Sequence, residues 1–481
     1  MNIFKINPLN SILISSLNVL PKLQSVDSQY ICLSLINSFL GTANIECEEA
    51  RSFMCLPANN SCFDIILTIF ESNMKQSKLF DICLKILLNS SKYKLLIIDK
   101  VVPALEKVYQ VSLNEAQIQI IASLLKEISR TPFAFQKLQN NKELIVIILK
   151  FLNTNSQLDT LLVIIECLNK IILSHEGISS FIISTIGSVE IFEKYIRHPF
   201  IQIQLAAIKL MYSFLKQSSS LGNLINLIRF ICPPLIKGIS NPNHKIKIKS
   251  ISLLCKFVEL ESEFQKISID IGAIEELSTM LKELLIDFEK EILPSENSEK
   301  KCEDNKEMID YDINNLKVVM NIPKDTKTLL LYSILKALSL LCYSYEEGRK
   351  KFIESKNCQW LINLLKNKEP IIRSFSCSLI SSLGRSQKLA KSSIFPKGIP
   401  DQLFALLHDE FKDIEENAIK AICNVSLEFQ SLISKNEKVM KRIIFMLNSK
   451  YLMIKIAASC TIKNLLYMAS KEVKKLVLSF L

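Results

Sequence analysis

The chain has 481 residues, 49% of them hydrophobic, and a formal net charge of +11 at pH 7. This length exceeds one ordinary domain, so the chain is expected to divide into domains or to repeat a smaller unit. Only 9 glycines and 14 prolines are present, which disfavours the glycine-rich loops of nucleotide-binding enzymes and the many tight turns of β-sandwiches. The composition therefore favours an all-α protein.

The N-terminal segment and the apolar runs bear on where the protein works. The N-terminal segment has no small-residue cleavage site of a secretory signal. The most apolar runs, 144–152 and 329–342, are short and contain lysine, so they are interpreted as buried helices rather than membrane spans. Most cysteines lie in apolar helical patterns, where a reduced thiol behaves as a small hydrophobe. We expect a cytoplasmic and nuclear protein with no membrane insertion.

Residue types that commonly form metal, catalytic or nucleic-acid sites do not cluster in the sequence. No Cys-x-x-Cys pair occurs, and the four histidines do not join cysteines at zinc-ligand spacing. Lysine is spread along the chain rather than gathered in a basic stripe, which argues against nucleic acid as the main partner. The sequence contains no Walker loop and no nucleophile with a base at a recognised spacing. It predicts a protein that is not an enzyme and uses no metal or cofactor.

A pattern of small and apolar residues recurs at intervals of about forty residues. The pattern is clearest in NAIKAICNVS at 417–426. The positions equivalent to its second asparagine are Ser38, Asn89, Glu127, Lys170, Ser213, Lys256, Leu340, Ser382, Asn424 and Asn464. The sequence therefore predicts about ten repeats, with one interval, from Lys256 to Leu340, about twice the usual length.

The doubled interval contains a polar segment rich in acidic residues, EKEILPSENSEKKCEDNKEMIDYD at 289–312. Such a segment buries too little apolar surface to offset the entropy of ordering, so we predict one long disordered insertion. Turns precede the first helix of each repeat, as in DIGAIEELSTMLKELL at 270–285. The predicted domains are N-terminal repeats at 1–285, the insertion at 286–325 and C-terminal repeats at 326–481.

A repeat of about forty residues with a glycine turn and a long third helix ending in A-x-x-A-φ-x-N-φ, where φ is apolar, resembles the armadillo repeat. NAIKAICNVS is a close match and ASCTIKNLLY at 458–467 a fair one. The resemblance implies an armadillo/HEAT-like right-handed α-solenoid. No single copy can bury its own apolar face, so each copy stacks on its neighbours.

Polar residues beside the apolar stripe are the candidate binding residues. Asn417, Lys420 and Asn424 share one flank of a predicted helix, and in armadillo proteins this flank faces a ligand groove. An amide there can hydrogen-bond an extended ligand or cap nearby carbonyls, and the sequence leaves both alternatives open. The predicted protein-binding groove residues are Asn417, Lys420, Asn424, Ser382, Asn464, Lys256, Ser213 and Lys170.

A narrower resemblance rests on the order of segments. The segments 198–217, 245–281, 346–388 and 417–429, with a charged insertion between the second and third, are similar to armadillo repeat-containing protein 8. That family provides the armadillo scaffold of the CTLH ubiquitin ligase, called GID in yeast. The resemblance implies a non-catalytic scaffold in ubiquitin-dependent protein degradation. Its implied partners are RanBPM-like and TWA1-like LisH-CTLH proteins and a substrate receptor.

Two alternatives stay open. A generic armadillo adaptor of the transport or adhesion type shares the fold, and fold does not determine function. An importin-type groove is lined by tryptophans one helical turn before its asparagines. At those positions this chain has Lys420 and Cys460, which disfavours a nuclear-import adaptor. A free-standing repeat protein is the other alternative. The apolar residues expected to need a covering partner or cap near the end of the chain are Ile462, Leu465, Leu466 and Leu476.

Overall fold

The computed structural model describes residues 12, 15–16, 19–41, 60–74, 77–91, 101, 105, 107–108, 113–130, 142–152, 157–174, 177–186, 192–217, 225–292, 325–386, 395–467 and 469–480. All regular structure within these ranges is helical. The α-helices are α1 (Val26–Gly41), α2 (Asn60–Ser72), α3 (Ser77–Ser91), α4 (Glu115–Arg130), α5 (Lys142–Leu152), α6 (Leu158–Ser174), α7 (Ile178–Ile186), α8 (Glu193–Ile196), α9 (Ile201–Gln217), α10 (Ile225–Ile239), α11 (His244–Leu260), α12 (Ser262–Asp270), α13 (Ala273–Ile292), α14 (Thr326–Ser344), α15 (Glu346–Glu354), α16 (Leu361–Leu365), α17 (Pro370–Leu383), α18 (Ile399–Leu406), α19 (Lys412–Val425), α20 (Gln430–Lys435), α21 (Glu437–Met446), α22 (Leu452–Leu466) and α23 (Lys471–Leu478).

Local sequence explains where several helices begin. The side chains of Asn243, Asp325, Asn436 and Ser470 accept hydrogen bonds from backbone N–H groups in the first turns of α11, α14, α21 and α23. These N–H groups have no partner within a helix, so a side-chain acceptor stabilises the helix start. Pro370 is the first residue of α17, where the missing N–H of proline removes no hydrogen bond.

The described chain divides into two compact units, Met1–Leu227 and Ile228–Leu481. In the first unit the long helices α1, α3, α4, α6 and α9 pack in chain order, each on the next. In the second unit α11, α14, α17, α19 and α22 pack in the same way. Shorter helices pack on the long helix that follows them, as α21 does on α22. Each unit is therefore an α-solenoid of stacked helical repeats, as the sequence predicts.

The doubled interval in the sequence contains no additional helix of the stack among the described residues. Helices α11 and α14 contact each other directly, and the nine-residue α12 and the 20-residue α13 lie between them in the chain. α13 continues to Ile292, past the predicted start of the insertion at residue 286. The rest of the predicted disordered insertion, 293–324, lies outside the described residues. The predicted boundaries at 286 and 325 both fall within the second unit.

One described helix, α14, is long and apolar enough to cross a membrane by length and composition alone. In this structure 61% of the 18-residue apolar stretch of this helix is buried, because the helix packs between α11 and α17. The apolar run at 329–342, interpreted from the sequence as a buried helix, accordingly forms part of the core of the second unit.

The expectation that four apolar residues near the end of the chain lack cover is wrong for Ile462 and Leu465, which are buried. Ile462 and Leu465 are 8% and 0% exposed, and Leu466 and Leu476 are half-buried. The reason is that α23 packs on α22. The exposed apolar side chains of α22 lie near its start, at Leu452, Met453 and Ile456.

The predicted glycine turn is visible between α12 and α13. Gly272 has a φ of +94°, a left-handed conformation that costs energy for a residue with a Cβ atom. The turn joins two helices of one repeat with only two residues between them. The left-handed backbone conformation at this turn therefore explains why the sequence has a glycine there.

A buried ion pair joins α17 to the loop before α19. The Arg373 guanidinium donates to both carboxylate oxygens of Asp409, at 2.9 and 3.2 Å. A further guanidinium N–H donates to the carbonyl of Asn367 at 3.0 Å. The two charged side chains are 15% and 7% exposed. This pair binds two neighbouring repeats together through a geometry that carboxylate and guanidinium match well.

We expect Arg373→Ala to lower the free energy of opening of α17 and α19 by about 3 kcal/mol, because Asp409 would keep a buried charge without its partner. Native-state hydrogen exchange of the two helices measures this quantity. The matched control is Lys350→Ala, which removes an exposed pair with Glu354 and should cost less than about 1 kcal/mol. Equal effects of the two substitutions would contradict a stabilising role of the buried pair.

Candidate protein-interaction surface

The predicted binding positions occupy one register of the long helices. In nine of the ten helices the residue equivalent to Asn424 is the thirteenth of its helix; the exception is Leu340 in α14, which begins earlier. Within each unit, a fixed register on stacked helices places these residues in a row across the repeats. Four of them, Asn89, Ser213, Asn424 and Asn464, form hydrogen bonds to the preceding long helix.

Asparagines in this row donate to the preceding long helix. The Asn424 amide donates to the carbonyl and hydroxyl oxygens of Ser381, at 2.8 and 2.9 Å. The Asn464 amide donates to the carbonyl of Cys423 at 2.9 Å. Ser381 and Cys423 lie in the last turns of α17 and α19, where carbonyls have no partner within their own helix. Each asparagine thus caps the helix of the preceding repeat.

The same pairing occurs in the first unit. The Asn89 amide donates to the side-chain oxygen of Asn37 at 3.0 Å. The Ser213 hydroxyl donates to the side-chain oxygen of Asn169 at 2.5 Å. In each pair the thirteenth residue of one long helix contacts the twelfth residue of the previous one. We call this contact the seam hydrogen bond.

Two further contacts fix the seam between α17 and α19. The Asn417 amide, about two helical turns before Asn424, donates to the Ser374 hydroxyl at 2.8 Å. A Cβ atom on Gly384 would lie 2.8 Å from a methyl group of Val425. The absence of a side chain at Gly384 therefore lets the end of α17 approach α19 closely enough for the asparagine contacts.

The other predicted groove residues differ in exposure. Ser213 and Ser382 are 0% and 4% exposed, so a ligand cannot reach either hydroxyl. Lys170 and Lys256 are half-buried, as expected for lysines whose stems cover apolar surface while the ammonium reaches water. The predicted set therefore divides into buried seam residues and half-exposed residues.

In the second unit the half-exposed residues continue across four long helices. We call this set the ladder surface, comprising Lys249, Lys256, Tyr332, Lys336, Phe375, Ser378, Asn417, Lys420 and Asn424. Two of its four lysines form ion pairs with acidic residues. Lys336 pairs with Glu259 at 3.1 Å and Lys420 with Glu416 at 2.5 Å. These two pairs hold their basic groups in place rather than extended freely into solvent.

Lys336 joins two repeats through charge and an aromatic contact. Burial acts to lower the pKa of its ammonium, but Cys255, Glu259 and Tyr332 outweigh burial and raise that pKa above its usual value. Lys336 therefore stays charged at neutral pH. Beside it, the rings of Tyr332 and Phe375 meet edge to face with centroids 5.0 Å apart. A basic group next to a pair of aromatic rings can bind an extended peptide with acidic and apolar side chains.

Some contacts of the long helices are not evident from the sequence. Gln265 donates to the carbonyls of Leu340 and Leu341, at 2.9 and 3.0 Å. Gln430 donates to the carbonyl of Leu465 at 2.9 Å. Each glutamine lies in the short helix after a long helix and caps the next long helix. The sequence signal for these contacts is a glutamine in the short helix that follows a long helix.

The chemical groups of the described residues do not form a metal site. Within the described ranges no group of three or more histidine, cysteine, aspartate or glutamate side chains is placed to hold a metal ion. Burial raises the pKa of the thiols of Cys83, Cys167 and Cys255 to about 12, so they are protonated at neutral pH. Such thiols pack as apolar side chains.

Glu428 lies just after α19, four residues beyond Asn424. Burial raises the pKa of its carboxyl from 4.5 to about 7. One carboxyl oxygen, Oε2, is buried and accepts no hydrogen bond from the described residues. The carboxyl is therefore more easily protonated in the folded chain than in the unfolded chain.

We expect Asn424→Ala to lower the free energy of opening of the α17–α19 seam by about 1–2 kcal/mol. The reason is that the carbonyl oxygen and the hydroxyl oxygen of Ser381 would both lose their hydrogen-bond donor. Hydrogen exchange of α17 measures the change. The exposed loop residue Asn448 supplies the control, since Asn448→Ala should stay within about 0.5 kcal/mol. An unchanged seam would favour the alternative in which Asn424 serves only a ligand.

The raised pKa of Glu428 predicts a pH dependence of stability. Between pH 4.5 and about 7 the folded chain binds more protons at this carboxyl than the unfolded chain, so its contribution to stability falls as pH rises through this window. At pH 8, Glu428→Gln should therefore raise the unfolding midpoint above that of the wild type. At pH 5 the same substitution should raise the midpoint less. Glu354→Gln, at an exposed carboxyl, is the control. A parallel pH profile for wild type and Glu428→Gln would contradict the assignment.

No protein-family model matches the chain. Among curated proteins it is similar to GID complex subunit 5 of Schizosaccharomyces pombe, with 24% identity over 238 residues. The match covers 48% of this chain and 28% of the length of that relative. The chain therefore corresponds to less than a third of the relative it matches.

Solved structures support the fold. The crystal structure of an engineered protein matches with a TM-score of 0.64 at 13% identity, covering 95% of this chain and 99% of that one. A designed armadillo repeat protein matches with a TM-score of 0.42 at 15% identity, covering 58% of this chain and 100% of that one. The chain is an α-solenoid of stacked helical repeats, and its sequence is similar to that of GID complex subunit 5.

Proposed function

We propose that the chain is a non-catalytic scaffold subunit of a GID/CTLH-type E3 ubiquitin ligase complex and acts in ubiquitin-dependent protein degradation. The observation that carries the proposal is the similarity over 238 residues to GID complex subunit 5. The order of the segments between 198 and 429 supports it. A solenoid also suits a scaffold, because its stacked repeats offer an extended surface to other proteins.

The proposed partners are RanBPM-like and TWA1-like LisH-CTLH proteins and a substrate receptor. The ladder surface is the proposed place for one of them. Its half-exposed lysines and the edge-to-face pair of Tyr332 and Phe375 would bind an extended acidic segment with an apolar side chain. The proposed compartments are the cytoplasm and the nucleus, because the buried thiols suit a reducing environment.

The alternative is a generic armadillo adaptor of the transport or adhesion type. The observation that favours it is the fold itself, since helical-repeat solenoids serve many partners. The low identity of 24% to GID complex subunit 5 also fits a distant adaptor. The two functions differ in the proteins that would be recovered with the chain.

Affinity purification of the tagged chain from its own cells, followed by mass spectrometry, tests the proposal. We expect LisH-CTLH and RING subunits to be recovered together with the chain. Recovery of transport cargo or junction proteins without those subunits would overturn the proposal and favour the alternative. The untagged chain provides the background for this comparison.

A matched pair of variants tests the surface. Ser378 lies on the ladder surface between Lys336 and Lys420, and its hydroxyl donates only within its own helix, to Ser374. We expect Ser378→Glu to weaken recovery of a partner about tenfold or more, because a carboxylate would repel an acidic segment and compete for the lysines. Asn448→Glu places the same charge on an exposed loop and should leave recovery unchanged. Equal recovery with both variants would exclude the ladder surface.

A further inference from the structure

Large apolar side chains are exposed where α21 meets α22. The last turn of α21, the loop 447–451 and the first turns of α22 form this corner of the second unit. We call its exposed apolar side chains the corner patch, comprising Phe445, Tyr451, Leu452, Met453 and Ile456. Phe445 and Leu452 are 67% and 68% exposed. Exposed apolar side chains that lie together in this way mark an interaction site.

The same corner of the preceding repeat is mostly polar. Its helices α18 and α19 are joined by a loop of equal length, 407–411, so each position of the corner patch has a counterpart forty residues earlier. Tyr451 has an aromatic counterpart, and the other four residues correspond to Ala405, Lys412, Asp413 and Glu416. Although α22 packs on α19, Lys412 stays exposed and Asp413 and Glu416 stay half-exposed. Stacking of repeats therefore neither requires nor covers apolar side chains at this corner.

The sequence around the corner patch is strongly basic. Residues 430–481 contain ten lysines and arginines and two acidic residues, so they carry +8 of the net charge of +11. Lysine is spread along the whole chain, but acidic residues are scarce in this part. One of the two, Glu437, is paired with Lys441 at 2.5 Å. The excess of positive charge favours an anionic partner.

Two of the basic side chains lie against the aromatic rings of the corner patch. The guanidinium carbon of Arg442 is 5.3 Å from the centroid of the Phe445 ring. The ammonium nitrogen of Lys450 is 5.2 Å from the centroid of the Tyr451 ring. In the first turn of α22, Lys455 is exposed and forms no ion pair with a residue of the described ranges. Apolar and basic groups thus share one exposed corner.

We propose that the corner patch binds the surface of a membrane that contains anionic phospholipids. The apolar side chains enter the boundary between the headgroups and the acyl chains, and the surrounding lysines bind the lipid phosphates. Buried apolar area and attraction to anionic lipids add to each other in such binding. The chain lies on the membrane and does not span it. This inference does not depend on the proposed ligase function.

Geometry and charge favour a lipid surface over a protein. The anchors of protein interfaces are held in well-packed pockets, whereas Phe445 and Leu452 project from the end of one helix and the start of the next. Lysine supplies nine of the ten basic groups of 430–481. Its flexible stem suits irregularly placed headgroups, while the rigid fork of arginine suits a fixed carboxylate. A second copy of the chain would bring the same positive charge, so repulsion disfavours that contact.

Sedimentation of the full chain with lipid vesicles tests the proposal. One set of vesicles contains phosphatidylcholine alone, and the other contains about one quarter phosphatidylserine. We expect binding to the anionic vesicles to be at least about tenfold stronger than to the neutral ones, and to fall as added salt screens the charges. Equal binding to both sets, or no binding to the anionic set, would overturn the proposal.

Matched variants locate the binding on the corner patch. Leu452→Gln removes an exposed apolar group and Lys450→Glu reverses a neighbouring charge, so each should weaken binding to anionic vesicles about fivefold or more. Phe200→Gln changes an apolar residue of the first unit that is 53% exposed, and Lys366→Glu changes an exposed charge just after α16. Both should leave binding unchanged. All four side chains are exposed, and circular dichroism checks that the variants fold.

A protein partner at the corner patch gives a different result. Vesicle binding is then absent, or is equal for Leu452→Gln and Phe200→Gln, while Leu452→Gln loses a protein from the affinity purification. A second copy as the occupant gives an oligomer in solution that Leu452→Gln dissociates, again without vesicle binding. Each of these results overturns the proposal. Failure to recover LisH-CTLH subunits with the wild-type chain would overturn the ligase function and leave vesicle binding unchanged, so the two failures are distinguishable.

Discussion

Each long helix ends in carbonyl groups that have no partner within the helix, and stacking of the repeats brings these ends close to the next helix. In two seams of the second unit the seam hydrogen bond answers this constraint, because Asn424 and Asn464 donate to the carbonyls of Ser381 and Cys423. Apolar burial alone would allow neighbouring helices to slide, because it has no direction. A hydrogen bond between fixed positions specifies one register at the seams that have it.

The seam also explains why the ladder surface is polar although the helices are apolar. The thirteenth residue of a long helix lies beside the buried stripe, where one side meets the preceding helix and the other meets water. Asparagine suits this place because its amide can donate inward while its oxygen remains available. Lysine at Lys170 and Lys256 suits it differently, through an apolar stem and an exposed charge. The surface is therefore a consequence of stacking.

Periodicity predicted much of the fold, since the repeated pattern located the ten helices that form the two stacks, and nine of their ten equivalent positions share one register. It could not decide what Asn424 contacts, because the same amide pattern suits a ligand or a neighbouring carbonyl. It also missed residues that act from other elements. The Arg373–Asp409 pair joins a helix to a loop of the next repeat, and only the folded chain brings these together.

The dual use of seam residues affects how any binding defect must be interpreted. Substitution of Asn424 removes both a half-exposed amide and a contact that holds α17 to α19, so lost binding and a loosened seam would appear together. Ser378 differs, because its hydroxyl donates within its own helix and its change leaves the seam hydrogen bonds in place. Because each patch of the surface contains side chains from two repeats, seam spacing sets the distance between binding groups. A change at one seam would therefore alter the adjoining surface without touching a ligand.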